Sequence, residues 1–91
     1  MTSDKLQMPL LRSDYLRQFL TFQDDFMGYL YLITGNRDAS LEVFQNAAVV
    51  VLEFDKLDQI ENFRAWSREV VRRQALLYLR QESTRRKHCR T

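Results

Sequence analysis

The run ASLEVFQNAAVVVLEF, residues 39–54, decides the fold, because its centre can be read in two ways. Val49, Val50 and Val51 are β-branched residues of modest helix propensity, so a strand through AAVVVLEF is the rival of a helix over the whole stretch. A strand needs a partner, and no second strand-like run exists elsewhere in the chain. The spacing therefore predicts a helix from Ala39 to about Phe54, opened by a cap from Asn36 or Asp38 in the turn after Gly35. Leu41, Val43, Phe44, Ala47, Ala48, Val49, Val50, Val51 and Leu52 make that helix apolar nearly all round. It must then be buried on more than one side, or combine a core face with a face for a partner.

Upstream, apolar residues recur at helical spacing through Tyr15, Leu16, Phe19, Leu20, Phe22 and Phe26, and again through Met27, Leu30, Tyr31 and Ile33. Ser13 is the expected cap of this helical region, Gly35 its expected end, and Asp24/Asp25 mark an expected break between two helices. Residues 1–12, which hold the single proline, Pro9, read as a flexible leader. Downstream, 55–62 (DKLDQIEN) is a polar loop or single turn. Asn62 then caps a last helix from Phe63 to about Gln81, whose core face is expected at Phe63, Trp66, Val70, Leu77 and Tyr78. Residues 82–91 are a basic tail. The expected fold is an all-α bundle of three to four helices over residues 13–81.

Two glycines and one proline in 91 residues provide too few tight turns for an all-β fold. Cys89, the single cysteine, can form neither an internal disulfide nor a zinc cluster, and a reducing cytoplasm fits it. The first twenty residues interrupt every apolar run with charge, so they match neither a signal peptide nor a membrane span. No cofactor or metal is expected, and no enzyme. His88 and Cys89 would form a dyad without a third group, and Asp24/Asp25 and Asp55/Asp58 occupy expected surface or turn positions.

The net charge of +2 conceals a division. Up to Asn62 there are five basic and ten acidic residues; from Phe63 onward there are nine basic and two acidic. The second half thus points to a polyanion. Within it Arg64, Arg68 and Arg72 stand four apart, one helical turn above the next, with Arg73 and Arg80 beside them.

From Tyr15 to Arg80 the chain resembles region 2 of the bacterial extracytoplasmic-function (ECF) sigma factors. The resemblance lies in the aromatic helix ending in GYLYLITGNRDAS, in SLEVFQNAAVVVLEF with Glu42 and Gln45 at the family's acid and amide positions, and in NFRAWSREVVRRQALLYLR. In the last segment Phe63, Arg64, Trp66, Val70, Val71, Tyr78, Leu79 and Arg80 match. Asn46 stands where an acid is usual, Arg73 where an asparagine is frequent and Leu77 where an aspartate is frequent, so base preference does not carry over.

The resemblance implies a transcription-initiation domain with two partners. Glu42, Gln45, Asn46, Val49 and Glu53 would dock on the clamp helices of the largest subunit of core RNA polymerase; Val49 reads equally as core. Lys56, Gln59, Asn62, Arg64, Arg68, Arg72 and Arg73 would receive promoter DNA, the non-template strand of the minus-ten element. The arginines would bind phosphates, and Lys56, Gln59, Glu61 and Asn62 a flipped base. Trp66 reads as a core anchor rather than a stacking platform.

An anti-sigma factor is a further partner that the family admits. The family also carries a helix-turn-helix domain for which nothing after Arg80 suffices, so the chain reads as a piece of a longer protein. The rival readings are a helical adaptor binding nucleic acid nonspecifically, a membrane-surface amphipathic protein and a protein-interaction subunit with a solvated basic tail.

Overall fold

The computed structural model describes residues 12–90, and the side chains of 13–85. Among the described residues there are four α-helices and no strand: α1 Arg12–Thr21, α2 Gln23–Thr34, α3 Arg37–Glu53 and α4 Phe63–Arg90. A single 3-10 turn, Leu57–Gln59, lies between α3 and α4. The protein is an all-α bundle. All but residue 12 of the expected leader lies outside the described residues.

The run that could have been a strand is helical throughout. Asn36, in extended backbone, accepts a hydrogen bond on Oδ1 from the Ala39 amide at 2.9 Å and starts α3 two residues before the expected Ala39. Such a cap stabilises a helix by about 1 kcal/mol. Gly35 ends α2 in the left-handed conformation, φ 68°, with its amide on the Tyr31 carbonyl at 2.8 Å. Between these two residues the chain reverses, and Ser40 ties the corner. Its buried hydroxyl meets the Asn36 carbonyl at 2.8 Å and Thr34 Oγ1 at 2.8 Å.

The break between the first two helices falls at Phe22, just before the two aspartates. Thr21 Oγ1 donates to the Gln18 carbonyl at 2.6 Å, and Phe22 leaves the helical conformation. Asp24 and Asp25 then sit in the first turn of α2, where negative charge suits the exposed amides. Ser13 is inside α1 and is not its cap.

The core gathers Phe19, Phe26, Leu30, Val43, Phe44, Ala47, Val51, Leu57, Val70, Val71 and Ala75. Phe19 is fully buried and stacks on Phe44, centroids 4.9 Å apart and planes 18° apart. A second aromatic line runs from Tyr15 through Phe63 and Trp66 to Phe54, at 5.4, 5.8 and 4.9 Å. Trp66 is thereby half-buried against the core, as an anchor.

Leu57, 5% exposed, pins the connection between α3 and α4 to the core, which is why that polar loop holds a defined turn. Two expectations for α4 need correction. Its core face passes through Val70, Val71 and Ala75 to Tyr78, whereas Leu77 is 42% exposed, about a hundred degrees around the helix from Tyr78. The helix also runs past Gln81 to Arg90, because no glycine or proline interrupts the chain between Phe63 and Arg90. From Leu79 to Arg85 no residue is buried, so this extension leaves the bundle. No helix among the described residues is long and apolar enough to cross a membrane.

Candidate functional site

Two exposed faces are built on the two helices that flank the Leu57 turn. On α3 the core claims Val43, Phe44, Ala47 and Val51, a stripe at three- and four-residue spacing. The opposite side keeps Glu42, Gln45, Asn46, Val49 and Glu53 at the surface, with Leu41 and Leu52 exposed beside them. Val49 is 47% exposed and is not core. The near-uniform apolarity of this helix thus divides into a packed face and an outer strip that mixes acid, amide and aliphatic side chains. Among the described residues neither Glu42 nor Glu53 has an ion-pair partner.

On α4, Arg64, Arg68, Arg72 and Arg73 are all exposed. The first three face α2 across a groove of about 390 Å³, whose other wall is Asp25, Phe26 and Tyr29. A smaller hollow of about 260 Å³ at the start of α4 is lined by Asn62, Arg64, Ala65 and Arg68. The structure therefore brings Asn62, Arg64, Arg68 and Arg72 onto one line. Lys56, Gln59 and Arg73 are exposed but line neither hollow.

The ridge is less positive than its arginines suggest. Asp25 accepts from Arg64 Nη2 at 2.7 Å, and the same guanidinium lies 5.1 Å from the centre of the Phe22 ring. Glu69 takes the fork of Arg72 with both oxygens, Nε at 3.1 Å, and its Oε2 also accepts from Arg73 Nε at 3.1 Å. The Arg72 hydrogen bond, helped by Arg73, holds the Glu69 carboxyl down at about 2, and Glu69 in turn raises Arg72. Arg68 has no ion-pair partner among the described residues.

Asn62 spends its Oδ1 on the Ala65 amide at 3.0 Å, as the cap of α4. Its two side-chain N–H groups and one lone pair of Oδ1 remain for a ligand, so it keeps the means both to donate to a base and to accept from one.

Three contributors to this site were missing from the sequence reading. Glu69 stands three and four residues before Arg72 and Arg73, a spacing that places ion pairs on one helix face and was there to be seen. Asp25 is 39 residues from Arg64, and Tyr29 reaches the groove from the same helix; only the packing of α2 on α4 brings them in. Comparison with protein families, with curated proteins and with solved structures found no match to this chain. The resemblance to ECF sigma factors accordingly rests on the residues quoted above.

Proposed function

We propose that the chain is the region 2 domain of an ECF-type sigma factor, acting in the cytoplasm to bind core RNA polymerase and to hold the melted minus-ten strand of a promoter, without catalysing a reaction. The observation that carries this reading is the separation of two exposed faces of unlike chemistry on adjacent helices, with α3 acidic and part-aliphatic and α4 cationic.

Glu42, Gln45, Asn46, Val49 and Glu53 suit a basic coiled-coil partner such as the polymerase clamp, with Val49 as the apolar centre and the acids as a rim. Arg64, Arg68 and Arg72 suit consecutive phosphates of a single strand, which sets affinity but not sequence. Lys56, Gln59 and Asn62 lie close enough in the chain to α4 to contact bases of that strand. Control by an anti-sigma factor belongs to the same proposal.

The extension of α4 beyond the bundle, with Arg80 and Arg85 exposed, favours one second reading: a helical adaptor that binds nucleic acid without sequence preference. The two are separated by incubating the folded chain with purified bacterial core polymerase and a pool of labelled single strands. The first reading predicts a complex of all three that elutes together. Binding of strands with no polymerase in the complex would select the second.

A further inference from the structure

Of the three arginines that line the α2/α4 groove, two are already engaged by carboxylates of the same chain. Asp25 holds Arg64 from across the groove at 2.7 Å. Glu69 occupies the fork of Arg72 with both of its oxygens and reaches round to Arg73 as well. Arg68, midway between, has no ion-pair partner among the described residues. A planar guanidinium fork accepts a carboxylate and a phosphate with the same two-point geometry. Glu69 therefore stands where a phosphate held by both arms of Arg72 would stand, and Asp25, through a single contact, where an oxygen of the next phosphate would meet Arg64.

Resting on the nucleic-acid half of the reading above, we propose that Asp25 and Glu69 are internal phosphate mimics that keep the groove closed to weak anions, and that a phosphodiester strand entering at Arg68 displaces them. Every side chain in these pairs is between 41% and 74% exposed, so each pair is weak, screened by salt and released by side-chain rotation alone. A single small anion meets only Arg68. A strand carries several phosphates at fixed spacing, so after the first contact the next ones compete with Asp25 and Glu69 at high local concentration. The groove thus selects for chain length among phosphate ligands, and its acids set the threshold.

The test is fluorescence anisotropy of a labelled single-stranded oligothymidine with the full chain, as wild type and as Glu69→Gln, Asp25→Asn and Glu82→Gln. Glu82 pairs with Arg85 at 3.1 Å beyond the groove, so its substitution makes the same change in net charge elsewhere on α4. Glu69→Gln is expected to tighten binding at low salt by about fivefold, the factor that one unit charge a few ångströms away is worth in water. Asp25→Asn should act in the same direction, and Glu82→Gln should have a clearly smaller effect. Equal tightening by Glu82→Gln would overturn the proposal in favour of net charge. Unchanged affinity of Glu69→Gln and Asp25→Asn, with a wild type that does bind, would overturn it and leave the nucleic-acid reading standing. No binding by wild type or any variant would overturn both.

Discussion

Helices α3 and α4 pack against each other, yet they treat their polar residues in opposite ways. On α3 the buried serine is fully bonded: Ser40 Oγ has two partners at the Gly35–Asn36 corner, and the exposed acids Glu42 and Glu53 have no ion-pair partner among the described residues. On α4 the buried serine, Ser67, has no hydrogen-bond partner for its Oγ among the described residues, while four of the exposed arginines are paired with the protein's own carboxylates. The first helix is internally satisfied and outwardly unspent. The second carries an unmet need inside and a partly cancelled charge outside. A surface whose acids are unpaired is ready for a cationic partner, whereas one whose arginines are paired must exchange its carboxylates for a ligand's anions.

The largest effect expected on this contrast comes from removing what both helices share. Phe19→Ala deletes the ring stacked on Phe44 and should cost about 3–5 kcal/mol, as read by urea or thermal unfolding. Both faces should fail together in that variant, which supplies the signature of misfolding against which selective losses are judged. Next in size is the ridge itself. Arg68→Ala/Arg72→Ala should weaken single-strand binding at low salt by about tenfold and flatten the salt dependence by roughly one to two ions released, since each neutralised phosphate contributes about 0.7 to the slope. Unchanged binding would remove α4 from the nucleic-acid face.

The two serines test the inner half of the comparison. Ser40→Ala should destabilise by about 1 kcal/mol through loss of its two hydrogen bonds, whereas Ser67→Ala should be neutral or stabilising by up to about 1 kcal/mol, because it removes a buried hydroxyl that has no partner among the described residues. Equal destabilisation by both would erase the distinction. The smallest effect concerns Glu69. Its carboxyl is held below the ordinary 4.5 in the folded chain, so its pairs with Arg72 and Arg73 contribute fully above about pH 4.5 and are lost as pH falls through about 2. A carboxyl NMR titration that returned an ordinary value for Glu69 would show that the pairs do not persist in solution.

Much of the frame was legible because its signals are local. Asn36 and Gly35 announce their caps within three residues, and the absence of a strand partner decides Val49–Val51 in favour of helix. Exposure was harder to read, since Leu20, Tyr31 and Leu77 continue apolar runs but point away from the core. Apolar residues on two adjacent faces of a helix satisfy the same spacing rule, and only tertiary packing selects one. The far end of α4 escaped because a charged sequence without glycine or proline gives a helix no reason to stop. In the site, the arginine ridge and the α3 strip follow from helical spacing. The Asp25–Arg64 contact, which lowers the charge of that ridge, depends on how α2 lies against α4 and has no local signal.

The most direct test of two separate faces is association with purified bacterial core RNA polymerase, measured for wild type, for Gln45→Ala/Val49→Asp and for Arg68→Ala/Arg72→Ala, each first shown to unfold at the wild-type midpoint. Wild type and the arginine variant are expected to bind alike, and the Gln45/Val49 variant is expected not to bind. Failure of the wild type to bind, or equal binding by all three, would contradict the separation of the two faces.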